Sequence, residues 1–526
     1  MGHLWAQVLG IQQVNLDDDF FRLGGNSLLA AEMLARARVM FGIDARQVRP
    51  LTRCLLRDPT LGRFSAAVQE ARAGTLITDS VDARVDYARE AALDVPIRRD
   101  AGPPPRWAQP TDILLTGATG FFGVHLLREL LATTGARVHC LARARNAAHG
   151  LERIAQAAER YELGRLPLGR VTALAGDLAA PDLGLPQDTF DELARGVDVI
   201  HHAGALVNFI YPYSELRAPN VTATRELIRL AGLYRSIPIH YVSTAAVLAG
   251  FGRAGIRHVS EETPLAYAEY LSVGYVESKF IAEEMLRNAA RQGLPMAIYR
   301  PLDIVGDRRS GAWNTSTEMC AMIRFITDTG MAPDVDLPLD FTSADVCAAA
   351  IGYIATHIAA SATTYHLVSP KKTLLGSLTD RLRHFGYVID EIPYQEWVDK
   401  LLRYAAGHPS HPMTPFVPLF VDRSPGSDMT VAEMYLDHIF PAYGRENTEL
   451  ALGGSGIVFP PVDESLLDLH IARLMSAGYL KVPPDGRPGN PASSSQEGPH
   501  GSHLSPGLGV TRPDISPRRL PGRILR

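Results

Sequence analysis

From Asp112 to Pro301 the chain repeats one pattern, a short apolar run followed by a segment of helix length. The runs are Ile113–Thr116, Val138–Leu141, Val171–Ala175, Val197–His201, Ile239–Val242 and Ala297–Tyr299. Each is apolar on both faces, as a strand covered by helices on two sides must be, and each gap is long enough for a helical crossover. Six such runs predict a parallel, doubly wound α/β sheet, a framework that binds ligands beyond the carboxyl ends of its strands.

That framework accounts for less than half of the 526 residues, and a soft prior of roughly 150 residues per domain leaves room for about two more units. Residues 1–72 look helical, with Leu4, Val8, Leu29, Met33, Ala37 and Met40 at helical spacing around a loop that holds Asp17–Asp19 and Gly24–Gly25. Residues 73–110 read as a linker, rich in Gly, Pro and charge, with a weak helical pattern over 81–93. The sheet domain is expected over 111–305. A smaller, mostly helical lobe is expected over 306–485, with helices near 315–329, 344–358 and 373–385 and some chain returning to the sheet. Within it, Asp340–Thr342 and Tyr365-His366 read as structural. Residues 486–526, dominated by Gly, Pro, Ser and Arg, read as a disordered tail.

Composition excludes several classes of function. A formal charge of −5 calls for neither nucleic acid nor an acidic membrane as partner. The most apolar long stretch, Val346 to Ala362, is Ala-rich and broken by Thr356 and His357, which predicts a buried helix and no membrane span. Cys54, Cys140, Cys320 and Cys347 lie far apart with no CxxC pair, so neither a disulfide framework nor a metal site is expected. Acidic residues stand where a signal peptide would need an apolar core, which points to a cytoplasmic protein.

Asp18-Asp19-Phe20-Phe21-Arg22-Leu23-Gly24-Gly25-Asn26-Ser27-Leu28-Leu29 closes a loop and opens a helix. A phosphate on Ser27 would face unpaired backbone amides and the positive end of the helix dipole. Over residues 4–72 the chain resembles peptidyl and acyl carrier proteins, whose 4'-phosphopantetheine attachment site is an acidic-aromatic-aromatic run followed by Leu-Gly-Gly-x-Ser-Leu. The resemblance implies a phosphopantetheine arm on Ser27, added by a phosphopantetheinyl transferase. Asn26 replaces the commoner Asp or His. The chain begins part-way through what would be the first carrier helix, as a piece of a larger assembly line would.

After the first apolar run comes Gly117-Ala118-Thr119-Gly120-Phe121-Phe122-Gly123, then a helix pattern through Leu131. Such a loop lets backbone amides approach a pyrophosphate at a helix start. Its Gly-x-x-Gly-x-x-Gly spacing resembles the Rossmann fold of the extended short-chain dehydrogenases. The second run ends in Ala142-Arg143-Ala144-Arg145, where an NAD site would carry an acidic residue. Arg143 and Arg145 suit a 2'-phosphate, so NADPH is the expected cofactor. Asp177 and Leu178 after the third strand and Ala203 after the fourth are placed against the cofactor by the resemblance. So are Arg300 and Pro301 at the end of the sixth strand, where this superfamily contacts nicotinamide.

Tyr275-Val276-Glu277-Ser278-Lys279 sets a phenol and an ammonium four residues apart on one helix face. The chain has 18 tyrosines but only five lysines, so chance supplies this pair about 0.2 times. A phenol titrates near pH 10, and a neighbouring ammonium brings it toward use as an acid near neutrality. The fifth run ends in Ser243-Thr244-Ala245-Ala246-Val247; Thr244 aligns with the family's catalytic hydroxyl, and Ser243 is the alternative.

With the carrier string in front, residues 81 to about 480 resemble the thioester reductase domains that end nonribosomal peptide and polyketide assembly lines, and the reductase domain of carboxylic acid reductases. The resemblance implies NADPH-dependent reductive release of an acyl or peptidyl thioester as an aldehyde or, after a second hydride, an alcohol. Thr244 and Tyr275 would serve the reacting oxygen, and Lys279 the tyrosine and the nicotinamide ribose. Upstream synthetase modules or a loading enzyme would be needed, since no adenylation motif is present. Three alternatives stand beside this reading. They are a cyclising release domain without redox chemistry, whose members typically lack the tyrosine; an extended short-chain dehydrogenase acting on a sugar nucleotide; and a carrier-bearing docking subunit whose reductase is inactive.

Overall fold

The computed structural model describes residues 1–25, 27–44, 47–76, 85–98, 103–421, 430–436 and 441–483. The tail expected over 486–526 lies outside these residues, as does Asn26.

The carrier unit is four helices, α1 (Gly2–Leu9), α2 (Ser27–Phe41), α3 (Val48–Arg57) and α4 (Leu61–Arg72). Trp5, Phe20 and Phe64 are fully buried between them, with the Trp5 and Phe20 rings edge to face at 5.1 Å. Phe20 explains the glycine pair that precedes Ser27. The Gly25 amide bonds the Phe20 carbonyl, and a Cβ at Gly25 would lie 2.3 Å from the Phe20 ring. Only glycine closes this turn, and the turn delivers Ser27 as the first residue of α2.

The linker is far more ordered than its composition predicts. A single turn, α5 (Tyr87–Glu90), and the residues after it run along the outside of the sheet domain. Tyr87 donates to Glu277 at 2.9 Å, and Glu90 accepts from Tyr213 at 2.7 Å and Arg217 at 2.6 Å. The Ala91 carbonyl accepts from Asn288 at 2.8 Å. Farther on, buried Asp198 takes the Arg106 and Thr111 amides. Of the weak helical pattern at 81–93, residues 81–84 lie outside the described residues, and the rest forms one turn bonded to the domain behind it.

The sheet has seven parallel strands: β1 (Asp112–Thr116), β2 (Arg137–Ala142), β3 (Val171–Ala175), β4 (Val199–His202), β5 (Ile239–Val242), β6 (Met296–Pro301) and β7 (Thr363–Leu367). Their order is β7-β6-β5-β4-β1-β2-β3, so the chain reverses direction between β1 and β4 and opens a crevice there. The crossovers are α6 (Phe121–Thr133), α7 (Ala147–Arg160), α8 (Gln187–Gly196), α9 (Ala223–Leu233) and α10 (Gly274–Arg291). Six apolar runs were expected and seven strands form. The seventh, Thr-Thr-Tyr-His-Leu, contains Tyr365 and His366 and extends the edge beside β6. Its polar residues disguise it: Thr364 and His366 are buried through contacts no periodicity reports.

Beyond β6 the lobe forms from α11 (Glu318–Thr329), α13 (Leu375–His384), α14 (Tyr394–Gly407) and α15 (Glu464–Ser476), while α12 (Ala344–His357) returns to pack on α6. These match the three helices expected there within three residues. Trp397, fully buried, anchors the lobe with its indole bonded to the Met331 carbonyl. The carrier rests on this lobe: α2 lies against α14 and the turn Thr414–Phe416, and Arg36 donates to Ser410 at 3.0 Å. No described helix is long and apolar enough to cross a membrane.

Candidate active site

The carboxyl ends of β1, β4 and β5 meet the start of α10. At β1, Gly117 takes a φ of +85°, and a Cβ there would strike the Gly204 amide at 2.8 Å. The loop from β1 therefore presses against the Ala203-Gly204 segment after β4. Gly120 caps α6 in an extended conformation with no side chain to fill the first amides. That leaves a cradle of free amides and half-buried Thr119, Phe121 and Phe122, which suits a dinucleotide pyrophosphate.

Arg143 and Arg145 are exposed just past β2, and among the described residues neither forms an ion pair. Asn146 caps the next helix through the His149 amide, fixing where the two arginines leave the strand. Asp177 binds its own turn through the Ala179 amide, and Leu178 touches the position of Gly204. These residues line up along one edge of the crevice, the side for the adenosine half of a dinucleotide.

On the other side, α10 carries the expected pair Tyr275 and Lys279. Tyr275 is 9% exposed, with the Phe209 ring edge-on at 5.6 Å, and burial pushes its phenol up from the ordinary value. Lys279 is 3% exposed and donates to the Val242 carbonyl at 2.8 Å, with its ammonium 4.6 Å above the centre of the Tyr241 ring. Burial pulls this lysine down to about 7, opposed by Glu283 one turn farther along. A lysine poised there changes charge with small changes in surroundings, and a bound cofactor's phosphates and ribose would alter them. Thr244 caps the turn Ala245–Leu248, with its hydroxyl oxygen accepting from the Ala246 amide at 3.2 Å. Ser243 is 3% exposed and faces Glu283, behind the crevice. Between the two hydroxyls, the geometry favours Thr244 as the one that meets a ligand.

Arg300 departs from expectation. Its guanidinium is fully buried, bonded through Nε and Nη2 to Glu283 at 3.0 and 2.6 Å and near His366 at 3.3 Å. A buried arginine needs a buried partner, and α10 supplies one, so the guanidinium is engaged in an internal ion pair. Pro301 and the backbone of β6 remain at the strand end.

The sequence reading missed Asn220. It is 1% exposed within a π-helical turn, Arg217–Thr222, that has no periodicity signal. Its side chain takes the Leu206 amide at 2.8 Å and donates to the Leu206 carbonyl and to Ser278 at 2.9 Å. Ser278 passes the contact on to the Tyr275 carbonyl at 2.7 Å. Asn220 thus clamps the loop after β4 to the catalytic helix. His202 and Glu283 were also missed, since a His at a strand end and a Glu on a helix of mixed charge look ordinary in sequence. Among the described residues no cluster of His, Cys, Asp and Glu could hold a metal ion.

Comparison with known proteins agrees with these two halves. Residues 3–67 match the phosphopantetheine attachment site family, and residues 115–351 match the male sterility protein family. Over 93% of its length the chain is 33% identical to the isonitrile lipopeptide synthase of Streptomyces coeruleorubidus, of which it spans 33%. It is also 32% identical, over 91% of its length, to the glycine betaine reductase of Emericella nidulans, of which it spans 37%. The chain thus covers less than half the length of these curated relatives. The crystal structure of the terminal R domain of the myxalamid polyketide–nonribosomal peptide pathway superposes with a TM-score of 0.68 at 36% identity, covering 76% of this chain and 99% of that one. A thiolation-reductase di-domain from an archaeal nonribosomal peptide synthetase shares the fold across 91% of this chain and 96% of its own, at a TM-score of 0.63 and 21% identity. At 36% identity over 99% of the myxalamid R domain, and with a phosphopantetheine attachment match ahead of it, the chain belongs to the family of terminal reductase domains of polyketide–nonribosomal peptide pathways.

Proposed function

We propose that this chain releases an acyl or peptidyl group, carried as a thioester on a phosphopantetheine arm at Ser27, by NADPH-dependent reduction to an aldehyde. The observation that carries the reading is Tyr275 and Lys279 on one face of α10, at the crevice that the glycine loop opens. When bound, the reduced nicotinamide supplies the hydride. The chain's own residues do the rest. Thr244 and Tyr275 hold the thioester carbonyl oxygen, which gains negative charge as the carbonyl carbon is reduced. Tyr275 gives that oxygen its phenolic proton, and the Lys279 ammonium offsets the charge left on the phenolate. Burial of both groups keeps water from competing. When the carbon–oxygen double bond re-forms, the carbon–sulfur bond breaks and the aldehyde leaves, with the proton passing to the thiol.

Exposed Arg143 and Arg145, with no acidic residue at the end of β2, support NADPH over NADH. The carrier string supports a phosphopantetheinyl transferase and upstream synthetase modules or a loading enzyme as partners. All four cysteines are unpaired, consistent with work in the reducing cytoplasm.

The test uses holo-protein loaded with a short acyl thioester on Ser27, mixed with NADPH or NADH, with products identified by mass spectrometry. Aldehyde or alcohol should appear with NADPH, and Tyr275→Phe should slow it about 100-fold or more. A cyclised product, or release indifferent to cofactor and to Tyr275, would sink the reductase reading.

A further inference from the structure

Under the crevice floor runs a continuous chain of buried hydrogen bonds with His202 at its joint. The Gly204 amide donates to Thr116 Oγ1 at 2.9 Å, and Thr116 Oγ1 lies 2.8 Å from His202 Nδ1. On its other side, His202 Nε2 lies 3.2 Å from Thr224 Oγ1, which donates to the Asn220 carbonyl at 2.7 Å. The Asn220 side chain then reaches Ser278, and Ser278 the carbonyl of Tyr275. Thr116, His202, Asn220, Thr224 and Ser278 are each no more than 1% exposed.

Proton counting fixes the state of the imidazole. The Thr116 oxygen accepts from Gly204, and its one hydroxyl proton is free to go to His202 Nδ1. Thr224 spends its proton on the Asn220 carbonyl, so its oxygen accepts from His202 Nε2. A neutral ring protonated at Nε2 satisfies both neighbours, whereas a charged ring would take the Nδ1 acceptor away from the Thr116 proton. Burial, reinforced by the Lys279 charge, pulls His202 down to about 3, so this state persists across the working pH range.

We propose that His202 is a positioning residue: its Nε2-protonated ring ties the glycine-loop side of the cofactor crevice to the helix that carries Tyr275 and Lys279. The inference rests on the reading that this crevice binds the nicotinamide cofactor. Thr116 is the last residue before Gly117, and Gly204 is the residue against which Gly117 packs. The other end of the hydrogen-bond chain is the first turn of α10. One side chain therefore sets the spacing between the two walls that must hold cofactor and acid in register, a distance to which hydride transfer is sensitive.

His202→Leu keeps the bulk and removes both bonds. His202→Gln restores one acceptor and one donor. Thr224→Val breaks the hydrogen-bond chain one joint farther on and serves where the Leu variant does not fold. Tyr299→Phe is the control for stability loss alone, because it strips a buried hydrogen bond, Tyr299 to His240 at 2.8 Å, from the same sheet away from the crevice. The readouts are NADPH affinity by fluorescence titration, melting temperature, and kcat with its isotope effect from 4-deuterated NADPH.

His202→Leu and Thr224→Val should weaken NADPH about fivefold or more and lower kcat about tenfold with a larger isotope effect, and His202→Gln should recover most of both. At matched loss of melting temperature, Tyr299→Phe should change neither by more than about twofold. Leu and Val variants that behave like Tyr299→Phe, or a Gln variant no better than Leu, overturn the proposal while leaving the reductase reading intact. Wild-type protein that binds neither NADPH nor NADH overturns both.

Discussion

Two helices of this molecule carry at their start a residue to which we assign a working role, and they are held in different ways. Ser27 opens α2, and among the described residues Arg36 and Glu32 of that helix bond Ser410 of the lobe. Tyr275 is the second residue of α10, a helix pinned on one side by Lys279 to β5 and on the other by Tyr87 and Ala91 of the linker. The difference follows from the chemistry each must do. On the proposed reading a carrier has to leave its seat to be loaded, and the side-chain hydrogen bonds described at that seat are between polar groups. An acid has to meet its substrate within tenths of an ångström, so its helix is fixed along its length. The linker takes part in both roles. Its described residues from Asp86 to Arg98 and from Pro103 on pack against the reductase body.

The largest effect should come from the group that α10 holds against its own solvation. Lys279 falls from 10.5 to about 7 on folding, and each unit is worth about 1.4 kcal/mol. Its folded value lies below its unfolded one. The resulting penalty is absent above the unfolded value, grows as pH falls, and is complete below about 7. Lys279→Met should therefore abolish reduction yet stabilise the cofactor-free protein at pH 7, by about 2–4 kcal/mol once the lost Val242 hydrogen bond is offset. The gain should shrink at pH 10. Urea melts at the two pH values check this. A variant equally stable or less stable than wild type at pH 7 would mean that Lys279 sits comfortably in its site.

Next is the linker. Glu90→Ala removes the shared acceptor of Tyr213 and Arg217, and should cost the reductase about 1–3 kcal/mol although it lies far outside the sheet. Burial acts to raise the Glu90 carboxyl, but the bonds from Tyr213 and Arg217 hold it below the usual range. Its contribution is present above the unfolded value near 4.5 and is lost as pH falls through the lower folded value, so variant and wild type should converge in acid. Melts followed by reductase-domain fluorescence would show it. An unchanged midpoint at pH 7 would make the linker a passive tether throughout, and the contrast between the two helices would lose one of its supports.

Much of this was legible in the sequence because it rests on local rules. The glycine string before α6, the pair Tyr275 and Lys279, and the turn before Ser27 are each set by steric or spacing demands within a dozen residues. What escaped depends on contacts across the fold. The linker reads as a connection with only a weak helical pattern because Pro103–Pro105 and its charges mask hydrogen bonds that only the folded domain supplies. Arg300 reads as a ligand contact because its partner, Glu283, lies 17 residues upstream on another element. Asn220 and His202 carry no periodic signal, and their value comes from neighbours that the sheet brings together. β7 was hidden by Thr364 and His366, polar residues that burial makes acceptable only when Glu261, Arg287 and Gly444 are in place.

The smallest effect should come from the carrier's seat, and there its smallness is the point. Arg36 pairs with Glu32 on its own helix and reaches Ser410, with both charged side chains about one-quarter exposed. Such contacts contribute roughly 0–1 kcal/mol and are screened by salt. Arg36→Ala should leave the melting temperature unchanged and the reduction of a soluble pantetheine thioester untouched. Reduction of the chain's own acyl group should slow about two- to fivefold, because tethering keeps the carrier at high effective concentration even when its seat is weakened. Raising ionic strength on the wild type should reproduce the change without the mutation. If instead Arg36→Ala stopped reduction in cis outright, the seat would be a rigid part of the catalytic assembly, and the contrast between a helix that travels and a helix that stays would fail.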